Sequence, residues 1–213
     1  MVKRLIFDVD NTLIEWKNEY WETLKDVFKE ENIEYNEILI NNFIKAIDTY
    51  EKIYEYYSRE KMLEHVNNIT NSNFSMDFFN KLLKKFEDCI PPKDDNIYNV
   101  LEYLSKKYEL VVLTNWFKDI QENRLKKFGI HQFFKEIFAS ENFKMKPNKE
   151  SFDVAMGSKK PEECVMIGDN LETDVKGAIN ANIKAIYITT KLNKGKVNDY
   201  IVINKLEDLK ELL

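Results

Sequence analysis

The sequence predicts an α/β fold: a parallel sheet layered with helices, carrying an inserted helical bundle. Three observations predict it. Short apolar runs, each the length of a buried strand, recur along the chain. Helix-period segments separate most of them, the signature of a sheet covered on both faces. Residues 1–90 contain neither glycine nor proline, whereas all five glycines and all four prolines come later.

The strand candidates in chain order are Leu5–Phe7, Leu110–Leu113, Cys164–Ile167 and Ala185–Ile188, with weaker ones at Ile137–Ala139 and Tyr200–Ile203. Helical patterns lie near 95–107, 117–128, 148–158 and 171–181. The first 90 residues read differently. Tyr20, Trp21, Leu24, Val27 and Phe28 recur along one face over 17–31, and Phe78, Phe79, Leu82, Leu83 and Phe86 repeat that spacing over 76–90. A third stripe runs from Phe43 through Ile47, Tyr50, Ile53 and Tyr54 to Tyr57, and a short helix fits 59–67. Pro91-Pro92 marks the boundary, because neither proline continues a helix. The expected organisation is an α/β core of 1–15 and 91–213 with a helical insertion at 16–90.

Composition narrows the function class. The chain has 213 residues, 44% apolar and 32% charged, an ordinary globular mix, and a net charge of −5. That charge argues against a nucleic-acid partner, which needs a basic face. An anionic substrate must then be drawn in by a local metal, lysine or helix end. Cys89 and Cys164 form no C-x-x-C pair and lie far from His65 and His131, so neither zinc nor a disulfide framework is expected. No stretch approaches the roughly 20 apolar residues of a membrane span. The expectation is a cytoplasmic protein with reduced thiols, a monomer or homodimer, with no membrane or nucleic-acid partner.

Ligands of open parallel sheets bind beyond the carboxyl ends of the strands. Asp8-Val9-Asp10-Asn11-Thr12 follows the first strand, Thr114-Asn115 the second, and Gly168-Asp169-Asn170 the fourth, with Asp174 five residues on; Lys146 precedes the helix near 148. If the first strand continues, Asp8 and Asp10 share one side of it. Two such carboxylates resist desolvation without a cation, and with Asp169 they make an all-oxygen set suited to Mg²⁺. Asp8 can then act as a nucleophile toward phosphorus and Asp10 as a general acid and base. Thr114, Asn115 and the N–H groups at the start of the 117 helix can hold phosphate oxygens, with Lys146 offsetting charge. Taken alone, Asp-x-Asp-x-Thr arises by chance in about one chain in forty of this length, and a turn with a helix cap would explain it. The ordered set, each member at a strand end or helix start, is what outweighs that reading.

That set, Phe7-Asp8-Val9-Asp10-Asn11-Thr12-Leu13, Leu113-Thr114-Asn115, Lys146-Pro147 and Ile167-Gly168-Asp169-Asn170 with Thr173-Asp174, resembles the four motifs of the haloacid dehalogenase superfamily. The resemblance implies a Rossmann-like three-layer core with a subclass I helical cap at 16–90. It implies Asp8 as nucleophile, through an aspartyl-phosphate, and as metal ligand. Asp10 becomes general acid/base with its carbonyl on the metal, and Asp169 the third ligand. Thr114 and Asn115 contact phosphate, Lys146 stabilises the phosphoryl group, and Thr12 and Asp174 support from behind, Asp174 by pairing with Lys146. Two positions depart from the pattern: Asn148 stands where an acid is frequent, and Ala181-Asn182 replaces Ala-Gly.

The presence of Asp10 favours a phosphatase over a dehalogenase, since an alkoxide leaving group needs a proton and a halide does not. The partner is then a small phosphorylated metabolite, with Mg²⁺ as cofactor. Trp16, beside the nucleophile loop, and Trp116, after the phosphate-binding pair, are candidate substrate contacts, although most aromatics of the insertion pack its own core. The aromatic rim leans toward a nucleoside monophosphate, with phosphoglycolate or a sugar phosphate close behind. A phosphotransferase or mutase, and a non-catalytic binding protein on this fold, are the alternatives.

Overall fold

The computed structural model describes residues 1–16 and 19–213. Its elements in order are β1 (Arg4–Phe7), α1 (Glu19–Glu30), α2 (Glu37–Tyr50), α3 (Arg59–Thr70), α4 (Met76–Phe86), α5 (Asp95–Ser105), β2 (Glu109–Thr114), α6 (Lys118–Phe128), β3 (Glu136–Ala139), α7 (Lys149–Met156), β4 (Cys164–Gly168), α8 (Gly177–Asn180), β5 (Lys184–Ile188), β6 (Gly195–Val197), β7 (Tyr200–Ile203) and α9 (Leu209–Leu212). The strands form one sheet in the order β3-β2-β1-β4-β5-β7-β6, parallel except for the β6–β7 edge.

Pleat alternation sends successive side chains to opposite faces. Leu5, Phe7, Leu110, Val112, Val165 and Ile167 pack with Val100, Leu101 and Leu104 of α5 and Leu125 and Phe128 of α6. On the other face Ile6, Val111, Leu113 and Met166 meet Phe152, Ala155 and Met156 of α7 and Ala178 of α8. These are the three layers. The order reverses between β1 and β4, so a crevice opens at their carboxyl ends.

Helices α1–α4 share a separate apolar cluster, which Trp116, Phe117, Ile120 and Met145 extend from the sheet side. Asn36, Ser58 and Ser75 cap α2, α3 and α4, each accepting an N–H of the first turn. Helix α3 is longer than the pattern suggested, running to Thr70 before Asn71 turns it off at φ 51°. The helix expected over 17–31 is described from Glu19; Lys17 and Asn18 lie outside the described residues.

Three features differ from the sequence reading. The stripe drawn from Phe43 to Tyr57 is broken, because α2 stops at Tyr50. Beyond it the chain bonds to other segments: Tyr57 N–H donates to Ser140 O (2.7 Å), and Glu55 O accepts from Met145 N–H (2.8 Å). Ile53, counted as part of the stripe, is 61% exposed. The pattern over 171–181 divides into a π-helical turn (Leu171–Lys176) and α8, a local irregularity frequent at functional sites. Strand β6 escaped notice because three residues, Gly-Lys-Val, carry no period; it joins β7 through the two-residue turn Asn198-Asp199, with Asn198 at φ 50°.

Candidate active site

The site forms where β1, β2 and β4 end. Strand β1 stops at Phe7, but Asp8 N–H still donates to Ile167 O (3.0 Å), holding Asp8 beside β4. The chain then folds tightly: the N–H groups of Leu13 and Ile14 both donate to Val9 O, and Asn11 sits at φ 59°, a left-handed conformation that asparagine tolerates. The strand therefore does not continue through Asp10, and Asp8 and Asp10 serve different neighbours.

Asp8 joins Asp169 and Asp174, one carboxylate oxygen of each lying within 4.8 Å of the others. Lys146 Nζ donates to Asp8 Oδ1 and to Asp174 Oδ1, both at 2.7 Å, with Lys146 only 4% exposed. Asp174 Oδ2 accepts from Asn170 N–H (3.1 Å), so both oxygens of Asp174 are occupied by protein donors. Gly168 makes this approach possible: a Cβ there would lie 2.2 Å from Asp174 Oδ2. Burial alone would lower the Lys146 pKa, but Asp174 and Asp8 overrule it and hold the ammonium above its ordinary value. Burial, with Asp174 and Asp10 near, pushes Asp8 up against the pull of Lys146. Burial and then Asp174 raise Asp169 to about 6.

Asp10 points instead to α6. Its Oδ1 accepts from Arg124 Nη1 (2.6 Å) and its Oδ2 from Gln121 Nε2 (2.7 Å). Each oxygen keeps a second lone pair, so Asp10 can take up a proton on its open side while both donors stay in place. Gln121 Nε2 also donates to Thr114 Oγ1 (3.0 Å), linking the second strand end to the same helix. Arg124 is fully buried, its guanidinium 5.6 Å from the Trp16 ring and 5.4 Å from the Tyr20 ring. Among the described residues the buried hydroxyl of Thr12 has no hydrogen-bond partner.

Asn115 is a fastener. Its Oδ1 accepts from Lys146 N–H (2.9 Å) and Ser140 Oγ (3.1 Å), and its Nδ2 donates to Lys146 O (2.9 Å) and Glu51 Oε2 (3.1 Å). Those four bonds use the capacity of the amide, so in this structure the side chain positions the Lys146 loop. The first N–H of α6, on Lys118, is likewise committed to Glu141 (2.7 Å). Asn148 caps α7 through Glu150 N–H (3.0 Å), and Asn182 adopts φ 62°, so both departures from the motif pattern fill their backbone roles.

A cleft of about 550 Å³ stands over the carboxylates. Trp16 and Trp116 line it, but both are also packing residues: Trp16 stacks on Tyr20 at 3.4 Å, and Trp116 is 5% exposed among Tyr57, Phe117 and Trp16. Glu51, Gln121 and Arg124 were not singled out from the sequence, and Tyr57 was named only as the end of the aromatic stripe. Tyr57 donates to Glu51 Oε1 (2.5 Å), and burial raises the Glu51 pKa against the bonds from Tyr57 and Asn115. The available signal for Gln121 and Arg124 was two polar residues on the buried face of α6, among Ile120, Leu125 and Phe128.

The donor set fits a hard divalent cation. It is all oxygen, Asp8 and Asp169 are both raised by burial and by neighbouring carboxylates, and among the described residues no lysine or arginine pairs with Asp169.

A family model described as haloacid dehalogenase-like hydrolase matches residues 5–188. The glyceraldehyde 3-phosphate phosphatase of Methanothermobacter thermautotrophicus is 33% identical over 133 residues, covering 57% of this chain and 58% of that relative. The chain thus spans little more than half of that relative's length. The HAD-hydrolase YfnB of Bacillus subtilis is 25% identical over 99% of this chain and 95% of its own. The pyrophosphatase PpaX of Bacillus mycoides is 24% identical over 100% and 97%. The magnesium-bound crystal structure of YfnB covers 100% of this chain and 98% of its own with a TM-score of 0.78 at 23% identity, a likeness of fold.

Proposed function

The chain belongs to the haloacid dehalogenase-like hydrolases, and on that premise we propose that it is a Mg²⁺-dependent phosphatase of small phosphate monoesters with Asp8 as nucleophile. The observation that carries this reading is the division of labour between Asp8, held in the carboxylate group by Lys146, and Asp10, held apart by Arg124 and Gln121. Relatives named as phosphatases support it. An acid two residues from the nucleophile favours an oxygen leaving group over a halide.

Asp8 and Asp169, with the backbone carbonyl of Asp10, would hold the cation. When bound, it neutralises charge on the phosphoryl oxygens. Asp8 attacks phosphorus with its free oxygen, forming a P–O bond as the bond to the leaving oxygen breaks. Asp10 gives the leaving oxygen a proton, then accepts one from the water that attacks the aspartyl-phosphate and restores Asp8. Thr114 and backbone N–H groups ahead of α6 hold phosphate oxygens, and Lys146 balances the charge that builds beside Asp8. Asp174 keeps Lys146 aimed, and Thr12 supports the nucleophile loop. In this reading residues 16–90 are a cap over a core of 1–15 and 91–213, with Trp16 and Trp116 at its edge.

The test is phosphate release from p-nitrophenyl phosphate with and without Mg²⁺. Asp8→Asn should reduce turnover by about a thousandfold or more. Normal turnover by purified Asp8→Asn would remove Asp8 from the nucleophile role. Product analysis with an added sugar acceptor separates hydrolysis from phosphoryl transfer.

A further inference from the structure

Gln121 lies on the buried face of α6, three residues before Arg124, and is fully enclosed. Its amide can sit only one way round. Arginine only donates, so Arg124 Nη1 meets the amide oxygen, at 2.7 Å. An ionised carboxylate only accepts, so Asp10 Oδ2 meets the amide NH2, at 2.7 Å. Arg124 Nη1 also donates to Asp10 Oδ1 (2.6 Å), which closes a ring of three side chains and fixes the plane of the amide. The second N–H of the same NH2 group then points at Thr114 Oγ1, 3.0 Å away. Thr114 is the acceptor in that bond, so its own O–H points elsewhere. Among the described residues that O–H has no acceptor, although Thr114 is only 1% exposed. Thr114 ends β2 and lines the cleft with Asp8, Asp169 and Lys146. A buried hydroxyl proton without an acceptor is a costly state, and an anion in the cleft would relieve it.

Resting on the phosphatase reading above, we propose that Gln121 is a positioning residue that turns the Thr114 hydroxyl into the cleft as a donor to the phosphoryl group. Gln121 does not touch the substrate. It donates to the Thr114 oxygen and so leaves the Thr114 proton for the phosphate, while the ring with Asp10 and Arg124 supplies the rigidity. The donor is aimed before the substrate arrives, so binding need not first break a bond from Thr114 O–H to the protein. The same NH2 group holds Asp10 Oδ2, so one buried side chain keeps the phosphate donor and the general acid in register.

The experiment reads the affinity for inorganic phosphate, as a competitive inhibitor of p-nitrophenyl phosphate hydrolysis with Mg²⁺, alongside thermal melts. Thr114→Val removes the donor and should weaken phosphate about tenfold or more. Gln121→Met keeps the volume and removes the aim; it should weaken phosphate about threefold or more. Added to Thr114→Val, the same change should cost no more than about a further twofold, because aiming a hydroxyl has no effect once the hydroxyl is gone. A residue that only filled space would cost the same in both backgrounds. Gln121→Glu is the second variant, for the case that methionine disturbs the fold. It has the same shape but sets an acceptor where the NH2 stood, draws the Thr114 proton inward, and should weaken phosphate about tenfold or more. A smaller loss than these in whichever Gln121 variant folds, an equal loss of Gln121→Met in both backgrounds, or full affinity in Thr114→Val overturns the proposal while the phosphatase stands. Failure of the unmodified protein to hydrolyse p-nitrophenyl phosphate with Mg²⁺ removes the phosphatase reading, and this proposal with it.

Discussion

Replacing Arg124 by methionine should separate stability from catalysis. The guanidinium donates to Asp10 Oδ1 at 2.6 Å and to Gln121 Oε1 at 2.7 Å, yet among the described residues its buried Nε and Nη2 have no hydrogen-bond acceptor. Losing a hydrogen bond to a charged group costs about 1.5–3 kcal/mol, and removing two buried unpaired donors returns about 1–3 kcal/mol each. The Asp10 side chain is 27% exposed, so water can replace the lost donor. Methionine keeps contact with the Trp16 and Tyr20 rings through its polarisable sulfur. The net change in unfolding free energy should therefore fall within about 2 kcal/mol of zero, unlike the 3–5 kcal/mol typical of breaking a buried pair. Catalysis should not be spared. Asp10 loses the contact that orients one of its oxygens, and kcat/KM for an alkyl phosphate should fall about ten- to a hundredfold. Nitrophenolate departs without a proton, so kcat/KM for p-nitrophenyl phosphate, which reports the steps up to the aspartyl-phosphate, should lose no more than about threefold. Urea melts and kcat/KM on both esters make the test. A destabilisation above about 3 kcal/mol with equal losses on both substrates would mean that Arg124 only fills space.

Gly168→Ala should displace Asp174, since the new methyl would sit 2.2 Å from its Oδ2; a loss of about 1–3 kcal/mol and a weakened hold on Lys146, seen as lower kcat, are expected. Asp169 is raised to about 6 by burial and then Asp174, from 3.8 when unfolded. A folded pKa above the unfolded one gives stability that is full below about 4 and lost as pH rises through about 6, so the metal-free protein should lose melting temperature across that window. Mg²⁺ favours the ionised form, and the rise in Tm it confers should be larger at about pH 7.5 than at about pH 5. Burial pushes the Cys164 thiol up to about 11, and the residue is fully buried, so a thiol reagent near pH 8 should label it only on unfolding, as read by peptide mass.

What the sequence made legible was what local chemistry fixes. Asp8, Thr114 and Asp169 each follow an apolar run, and a strand end at a switch point is a positional statement as well as a chemical one. The sheet was readable for the same reason, save β6, too short to carry a period. The helix-borne partners were not readable. Gln121 and Arg124 lie on an amphipathic segment where polar residues ordinarily face water, and only the fold turns that face toward Asp10. Glu51 follows the last turn of α2 inside an aromatic stripe that looked continuous; tertiary bonds from Ser140 and Met145 overrode that local preference. Asn115 was visible as a site residue, but its four bonds to Lys146, Ser140 and Glu51 depend on segments distant in sequence.

The stretch between α2 and α3 matters for how this scaffold can be recombined. Glu51 bonds to Asn115, Glu55 to Lys144 and to Met145 N–H, and Tyr57 N–H to Ser140. Every one of those partners lies in the loops that follow β2 and β3. A chimera that exchanged the helical bundle with that of a relative would therefore exchange half of each contact and keep the other half. Donor bundles would be compatible only when transplanted together with matching residues at 115, 140 and 144–146, which makes this seam, and not the two chain crossings near residues 16 and 90, the true unit of exchange.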